Sequence, residues 1–346
     1  MLSLPDHWLW DFWIADDGTA YHLFFLKAPR GGDPDQRHWN LCIGHAVSAD
    51  LRVWEVLADA IQPSSEAAFD DGATWTGSVV RGDDGLWNMF YTGLSRADGR
   101  QVQRIGVANS SDLHTWTKRG RQAVVTSDAR WYEQFSVTGR KEAWRDPWVM
   151  RDPDGHGWHM MITASAHSGP ADDRGVLGHA RSTDLISWEV RPPLSRPGSG
   201  FSELEVPQVA VIDGAPLVLF SCLGRQLSAA RRDAGEQGGV WALQPERLLG
   251  PYDVTRAVRL TDESLYSGRV VQDRDGRWRF LAFHNTDRSG AFVGALSDPL
   301  ELPQALGSIP LASGHVEPDR NHAHPGGSVP LGADGSHQAA PSEGSG

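Results

Sequence analysis

Five times along this chain an Asp-Gly pair precedes a run of aromatic and apolar residues. The copies are Asp17-Gly18 before Tyr21 to Phe25, Asp84-Gly85 before Trp87 to Tyr91 and Asp154-Gly155 before Trp158 to Ile162. Asp213-Gly214 before Leu217 to Phe220 and Asp275-Gly276 before Trp278 to Phe283 complete the set. The five glycines are separated by 67, 70, 59 and 62 residues. Asp-Gly between apolar runs signals a hairpin, because the tight turn needs a positive φ that glycine adopts without a Cβ clash. A second motif, Asp-Leu-x-x-Trp, follows three of the copies, at Asp50 to Trp54, Asp112 to Trp116 and Asp184 to Trp188. It reads as a polar turn with an inward Leu, then a Trp opening an outer strand. One repeat therefore supplies about four strands, the content of a propeller blade. The expectation is an all-β chain, a single-domain five-bladed β-propeller over residues 5–312.

Composition limits the partners. The net charge of -12 and a pI near 5.6 argue against nucleic acid or an anionic membrane surface. No run of 18 apolar residues occurs, so no helical membrane span is expected. The first residues, Met-Leu-Ser-Leu-Pro-Asp-His, carry neither a basic region nor an apolar run, which predicts no signal peptide and a cytoplasmic protein. Cys42 and Cys222 each sit in a strand-like apolar run and read as buried free thiols. No phosphate loop, zinc spacing or nucleotide fingerprint is present, so neither a metal nor a cofactor is expected. Residues 314–346 are rich in Gly, Ser, Pro, His and Ala and read as a flexible tail, with His322 and His324 solvated. Fifteen Trp residues suit a protein that stacks indoles on sugar rings, although most should serve the core.

The repeat also aligns three acids. Asp11 lies six residues before Asp17, Asp146 eight before Asp154, and Glu205 eight before Asp213. Thr76-Gly77-Ser78 and Tyr266-Ser267-Gly268 occupy the corresponding place in copies two and five. The strand before each hairpin should be the innermost of its blade, with its start at one mouth of the central channel. Asp11, Asp146 and Glu205 should then converge there from blades 1, 3 and 4. Burying three carboxylates costs several kcal/mol each unless they are paired or useful. Glycoside cleavage uses such a set: one acid protonates the leaving oxygen, and a carboxylate attacks the anomeric carbon or activates water. An oligosaccharide or smaller sugar is the expected partner.

Several segments resemble a known group. His38-Trp39-Asn40 through Gly44 to Glu55, Thr76-Gly77-Ser78-Val79-Val80, Met89 to Gly93, Arg145-Asp146-Pro147 and Glu205-Val206-Pro207 are similar, in order, to the clan of glycoside hydrolase families 32 and 68. That clan comprises invertases, fructanases and levansucrases. The resemblance implies a β-fructofuranosidase of sucrose or fructan type that acts with retention, fructosyl transfer being a second outcome. It implies Asp11 as nucleophile, Asp146 as transition-state stabiliser, Glu205 as general acid/base and Arg145 as a binder of furanose hydroxyls. Trp10, Trp13, Trp75 and Ser78 complete the expected substrate-binding set. Trp10-Asp11-Phe12-Trp13 is nearer the family 68 pattern, Lys27 stands near a common Gln, and Val206 replaces a usual Cys or Arg. Too few residues follow blade 5 for the β-sandwich typical of family 32, so a lone propeller is expected. Two other readings stand beside this one: an inverting arabinofuranosidase or arabinanase of the family 43 type, and a non-catalytic binding propeller. Glu203 shares a strand face with Glu205 by period-two alternation, roughly 6–7 Å away, so only one of them should reach the glycosidic oxygen. The Glu-x-Pro pattern selects Glu205.

Overall fold

The computed structural model describes residues 1–139 and 142–302. Over these residues the chain forms five antiparallel sheets in sequence order, a five-bladed β-propeller. Blade 1 holds β1 (His7–Asp16), β2 (Tyr21–Pro29), β3 (Cys42–Ser48) and β4 (Glu55–Val56). Blade 2 holds β5 (Ala73–Arg81), β6 (Trp87–Leu94), β7 (Gln103–Ser110) and β8 (Thr117–Lys118). A short helix α1 (Phe135–Thr138) precedes blade 3, made of β9 (Trp144–Arg151), β10 (Trp158–Ser165), β11 (Gly175–Ser182) and β12 (Glu189–Arg191). Blade 4 holds β13 (Glu205–Ile212) and β14 (Ala215–Cys222), then helix α2 (Ala229–Asp233), then β15 (Gly239–Leu243) and β16 (Val258–Arg259). Blade 5 holds β17 (Leu265–Gln272), β18 (Trp278–Thr286) and β19 (Phe292–Leu296).

The expected turns are present. Each hairpin glycine, from Gly18 to Gly276, has φ between +77° and +89°. In the Asp-Leu-x-x-Trp turns the Asp carboxylate caps two following backbone amides, as Asp112 does for His114 and Thr115 at 2.8 Å each. Leu51, Leu113 and Leu185 point inward, buried, at φ of 65°, 63° and 60°. A non-glycine residue held there stores strain, which the two amide hydrogen bonds and the buried Leu offset. Blade 5 departs from the four-strand expectation: it has three strands among the described residues. Leu2 takes the outer place, exchanging backbone hydrogen bonds of 3.1 and 2.9 Å with Leu296.

Apolar packing lies between blades rather than inside one. Phe24 faces blade 2 with Trp13, Met89 and Tyr91, while its neighbour Phe25 faces blade 5 with Leu281 and Leu296. Successive residues of a strand point to opposite faces, and both faces here are covered. That is why the second strand of each blade is a nearly unbroken apolar run. Cys42 and Cys222 are buried and free, as expected.

The innermost strands β1, β5, β9, β13 and β17 share one irregularity. Trp10 pairs with Leu26, yet Trp13 pairs with Phe24, so three steps on β1 oppose two on β2. The same holds for Trp75 and Ser78 against Thr92 and Phe90, and for Arg145 and Trp148 against Thr163 and Met161. Glu205 and Gln208 against Ser221 and Leu219, and Tyr266 and Arg269 against Phe283 and Leu281, complete the pattern. Each is a β-bulge, which re-aims the side chains around it. Four bulge residues, Asp11, Asp146, Val206 and Ser267, have positive φ, between 31° and 56°.

Candidate active site

The bulges sort the inner strands into three layers. Trp10, Trp75, Arg145, Glu205 and Tyr266 precede the bulge. Asp11, Thr76, Asp146, Val206 and Ser267 occupy it. Trp13, Ser78, Trp148, Gln208 and Arg269 lie two residues further on. The first two layers, all but the fully buried Ser267, line a cavity of about 420 Å³, with Arg37, His38 and Trp39 from a 3₁₀ turn and Arg225 and Gln226 from another on its wall. Asp11, Asp146 and Glu205 all line it.

This layering corrects three expectations. Glu205 and Asp146 share an offset from their hairpins but not a place in the fold: Glu205 matches Arg145, and Val206 matches Asp146. Trp13 does not reach the cavity; it is fully buried and stacks on Phe24 at 6.1 Å between blades 1 and 2. Ser78 is also buried away from it, its hydroxyl accepting from the Val149 amide at 3.0 Å. Both lie past the bulge, where side chains stitch neighbouring blades together. Trp10, Trp75 and Arg145 do line the cavity. The Trp75 indole N–H is fixed by the His38 carbonyl at 3.0 Å.

Each acid has its own surroundings. Asp11 accepts a short hydrogen bond from the Ser267 hydroxyl and one of 3.3 Å from Thr76, its counterparts on the flanking blades. Burial, and then the nearby Asp146 carboxylate, push the Asp11 carboxyl up to about 7. Asp146 accepts from the Val206 amide at 3.1 Å and lies 2.9 Å from the Thr163 hydroxyl, while its own amide is held by Thr92 Oγ1 at 3.0 Å. Glu205 accepts from Arg145 Nη2, from Gln226 Nε2 at 3.1 Å and from the Tyr266 hydroxyl. Burial works against the Glu205 charge, yet the Arg145 guanidinium beside it holds the carboxyl below its usual range. Burial and the adjacent Glu205 carboxylate push the Tyr266 phenol well up, so it stays a donor.

The expected shared strand face of Glu203 and Glu205 does not hold, because Glu203 precedes β13 and is not governed by strand alternation. Both carboxylates converge on Arg145 Nη2 and on Gln226 Nε2, with Glu203 2.7 Å from the latter. Only Glu205 lines the cavity. The repeat puts Ser267, Thr76 and Tyr266 at the matching place, but their residue types alone do not mark them as hydrogen-bond donors to the acids. Arg37, Gln226 and Thr163 left no such signal. Among the described residues no group of three His, Cys, Asp or Glu side chains is arranged to hold a metal ion.

Residues 13–289 match the family model described as the glycosyl hydrolases family 32 N-terminal domain. The match begins just after Asp11, so the placing of that residue rests on geometry. Over 188 residues the chain is 33% identical to an insoluble β-fructofuranosidase isoenzyme 2 of Oryza sativa subsp. indica, covering 51% of this chain and 28% of that protein. β-Fructofuranosidase 1 of Zea mays is 30% identical over 228 residues, 63% of this chain and 32% of that one. The matched region thus spans about a third or less of these curated relatives. Among solved structures, the inulosucrase from Halalkalicoccus jeotgali bound to kestose superposes with a TM-score of 0.68 at 21% identity, over 92% of this chain and 94% of that one. Bacillus subtilis levansucrase gives 0.63 at 17%, over 86% and 88%. At these identities the likeness is one of fold.

Proposed function

The chain belongs to glycosyl hydrolase family 32, and from that premise we propose that it cleaves β-fructofuranosides of sucrose or fructan type with retention. The observation that carries the reading is the convergence of Asp11, Asp146 and Glu205, from three blades, on one cavity beside Arg145. Asp11 attacks the anomeric carbon, and Glu205 protonates the leaving oxygen and later activates water. Asp146, fixed by Thr163 and the Val206 amide, holds sugar hydroxyls and faces the developing oxocarbenium charge. Arg145 both orients Glu205 and presents a guanidinium to the furanose.

The protonation pattern constrains this chemistry. In the free protein Asp11 holds its proton up to about pH 7 while Glu205 is ionised at lower pH. The reactive arrangement has the proton on Glu205 and not on Asp11. Because the carboxyls titrate as a set, the singly protonated set is the active form. The profile of kcat/KM is therefore expected to be bell-shaped, with its alkaline limb near pH 7 and an acidic optimum. Measuring release of fructose and glucose from sucrose, levan and inulin, with an aryl arabinofuranoside as control, tests the substrate class. Cleavage of the arabinofuranoside alone overturns the reading. NMR of the first-formed sugar tests retention, which an inverted product overturns.

A further inference from the structure

Arg269 sits beneath the cavity, 3% exposed, in the layer past the bulges. It does not line the cavity. Its Nε donates to the Phe12 carbonyl at 3.2 Å, and its Nη1 lies 3.2 Å from the Val206 carbonyl and 2.6 Å from that of Pro207. The guanidinium carbon stands 5.1 Å from the centre of the Trp148 ring. One side chain on β17 therefore touches β1, β9 and β13, the three strands that bear the acids. The carbonyls it takes belong to the residue directly after Asp11 and to the first two residues after Glu205. They lie at and just past two bulges whose φ values, 31° at Asp11 and 51° at Val206, are strained for residues with a Cβ.

The charge is as telling as the geometry. Among the described residues no carboxylate oxygen forms an ion pair with Arg269, and a buried cation without one is costly. The charged groups facing it are Asp146 on β9 and Asp11 on β1, with Glu205 on β13, Arg145 on β9 and Arg37 on the 3₁₀ turn around the same acids. We infer that Arg269 is a positioning residue: it clamps the bulges that carry Asp11 and Glu205 at a fixed separation and supplies positive charge beneath the Asp11–Asp146 pair. Burial pushes the guanidinium down to about 10, which leaves it charged over the working pH range. Two roles follow, and they separate by substitution. The fork to three carbonyls needs Arg; the charge needs only a cation.

The inference rests on the proposed reaction for its kinetic test but not for its spectroscopic one. Arg269→Lys keeps the charge and loses the fork. Its kcat on sucrose should fall tenfold to about a hundredfold, with KM little changed and the alkaline limb still near pH 7. Arg269→Gln loses the charge, so its alkaline limb should also move to higher pH. Wild-type kcat in Arg269→Lys overturns the clamp, and an unmoved limb in Arg269→Gln overturns the electrostatic role. Should Arg269→Gln fail to fold, Arg269→Met, which fills the same volume, takes its place. The Asp11 carboxyl can also be titrated directly by ¹³C NMR, assigned by the signal lost in Asp11→Asn. Its midpoint should rise in the uncharged variant and stay put in Arg269→Lys; equal midpoints in all three proteins sink the proposal. That titration needs no substrate, so it stands even if no fructoside is cleaved.

Discussion

Single residues at the site carry opposing demands of stability and chemistry, and Asp11 shows it most clearly. Its carboxyl is raised to about 7 by burial and by Asp146, against a value near 3.8 in the unfolded chain. A carboxyl raised in the folded state imposes no penalty below the unfolded value, and stability falls as pH climbs from there through about 7. Asp11→Asn removes this titration. Its stability advantage over the wild type should be small near pH 4, grow up to pH 7 and then level off at on the order of 3 kcal/mol. Partial exposure to the open cavity keeps it below the full linkage value. Chemical denaturation at pH 4.5, 6 and 8 measures it, and a constant difference across that range contradicts the placing of Asp11. The acid/base choice has a kinetic signature. Glu205→Gln should lower sucrose cleavage by roughly 10²–10⁴-fold while sparing the first step with an activated aryl fructoside. Glu203→Gln, which removes a second carboxylate from Arg145, should lose less and show no such dependence on the leaving group. Exchange of these behaviours would make Glu203 the acid. That Asp11, Asp146 and Glu205 line one cavity was legible because the repeat sets them at the start of the innermost strands, and Arg145 because it adjoins Asp146 in the motif. That Glu205 stands level with Arg145 and not with Asp146 was hidden by the bulge. Trp13 and Ser78 were misread because a bulge is one extra residue, and nothing in the residue types marks where it is inserted.

Between strands the sequence shows its turns well and its cross-strand pairs poorly. The Asp-Gly hairpins and Asp-Leu-x-x-Trp turns are local, so a few residue identities determine them. Two histidine pairs are not local. His22 Nδ1 meets His45 Nε2 at 3.0 Å across β2 and β3, and His159 Nδ1 meets His179 Nε2 at 2.8 Å across β10 and β11. Each pair runs diagonally across the register, two positions off direct opposition, and so could not be read without it. The same places in blade 2 hold Asn88 and Val107. Burial pushes both His45 and His179 down to about 3, with the neighbouring imidazole adding to the effect. A histidine depressed in the folded state contributes stability at neutral pH, which is lost as pH falls from about 6.5 toward 3. The double substitution His159→Asn with His179→Val, copying blade 2, should therefore flatten the loss of thermal stability over that window. Parallel Tm curves for variant and wild type between pH 7 and 4 would contradict it. Asp152, which bonds His159 Nε2 at 2.9 Å, makes a His159 change alone a poorer test.

A propeller is a ring, and the ring's least regular joint lies where its last blade meets its first. Blades 1 to 4 are complete within themselves, whereas blade 5 has three strands among the described residues and takes its outer position from Leu2. Nothing in the fivefold repeat predicts this, because the closing segment precedes the first copy and shares none of its motifs. Leu2 and Leu4 are both buried, in the cluster formed with Phe12, Phe25, Leu281 and Leu296. Arg30 adds to the joint, spanning the Leu4, Val293 and Gly294 carbonyls at 3.3 to 3.4 Å. The same joint brings Asp11 on β1 against Ser267 on β17, so closure and chemistry share one boundary. Replacing Leu2 and Leu4 together with Asp removes two buried side chains, worth roughly 1.5–3 kcal/mol each. It leaves the β19 edge without its partner, and Tm should fall by on the order of 10 °C. Amide exchange should then speed up first at Leu296 and along β19, while the interface of blades 2 and 3 stays protected at the wild-type level. Turnover should also drop at temperatures where the variant is still folded, since Asp11 loses its fixed relation to Ser267. Uniform loss of protection over all five blades would show that closure acts on the ring as a whole, and an unchanged Tm that it is not made at Leu2.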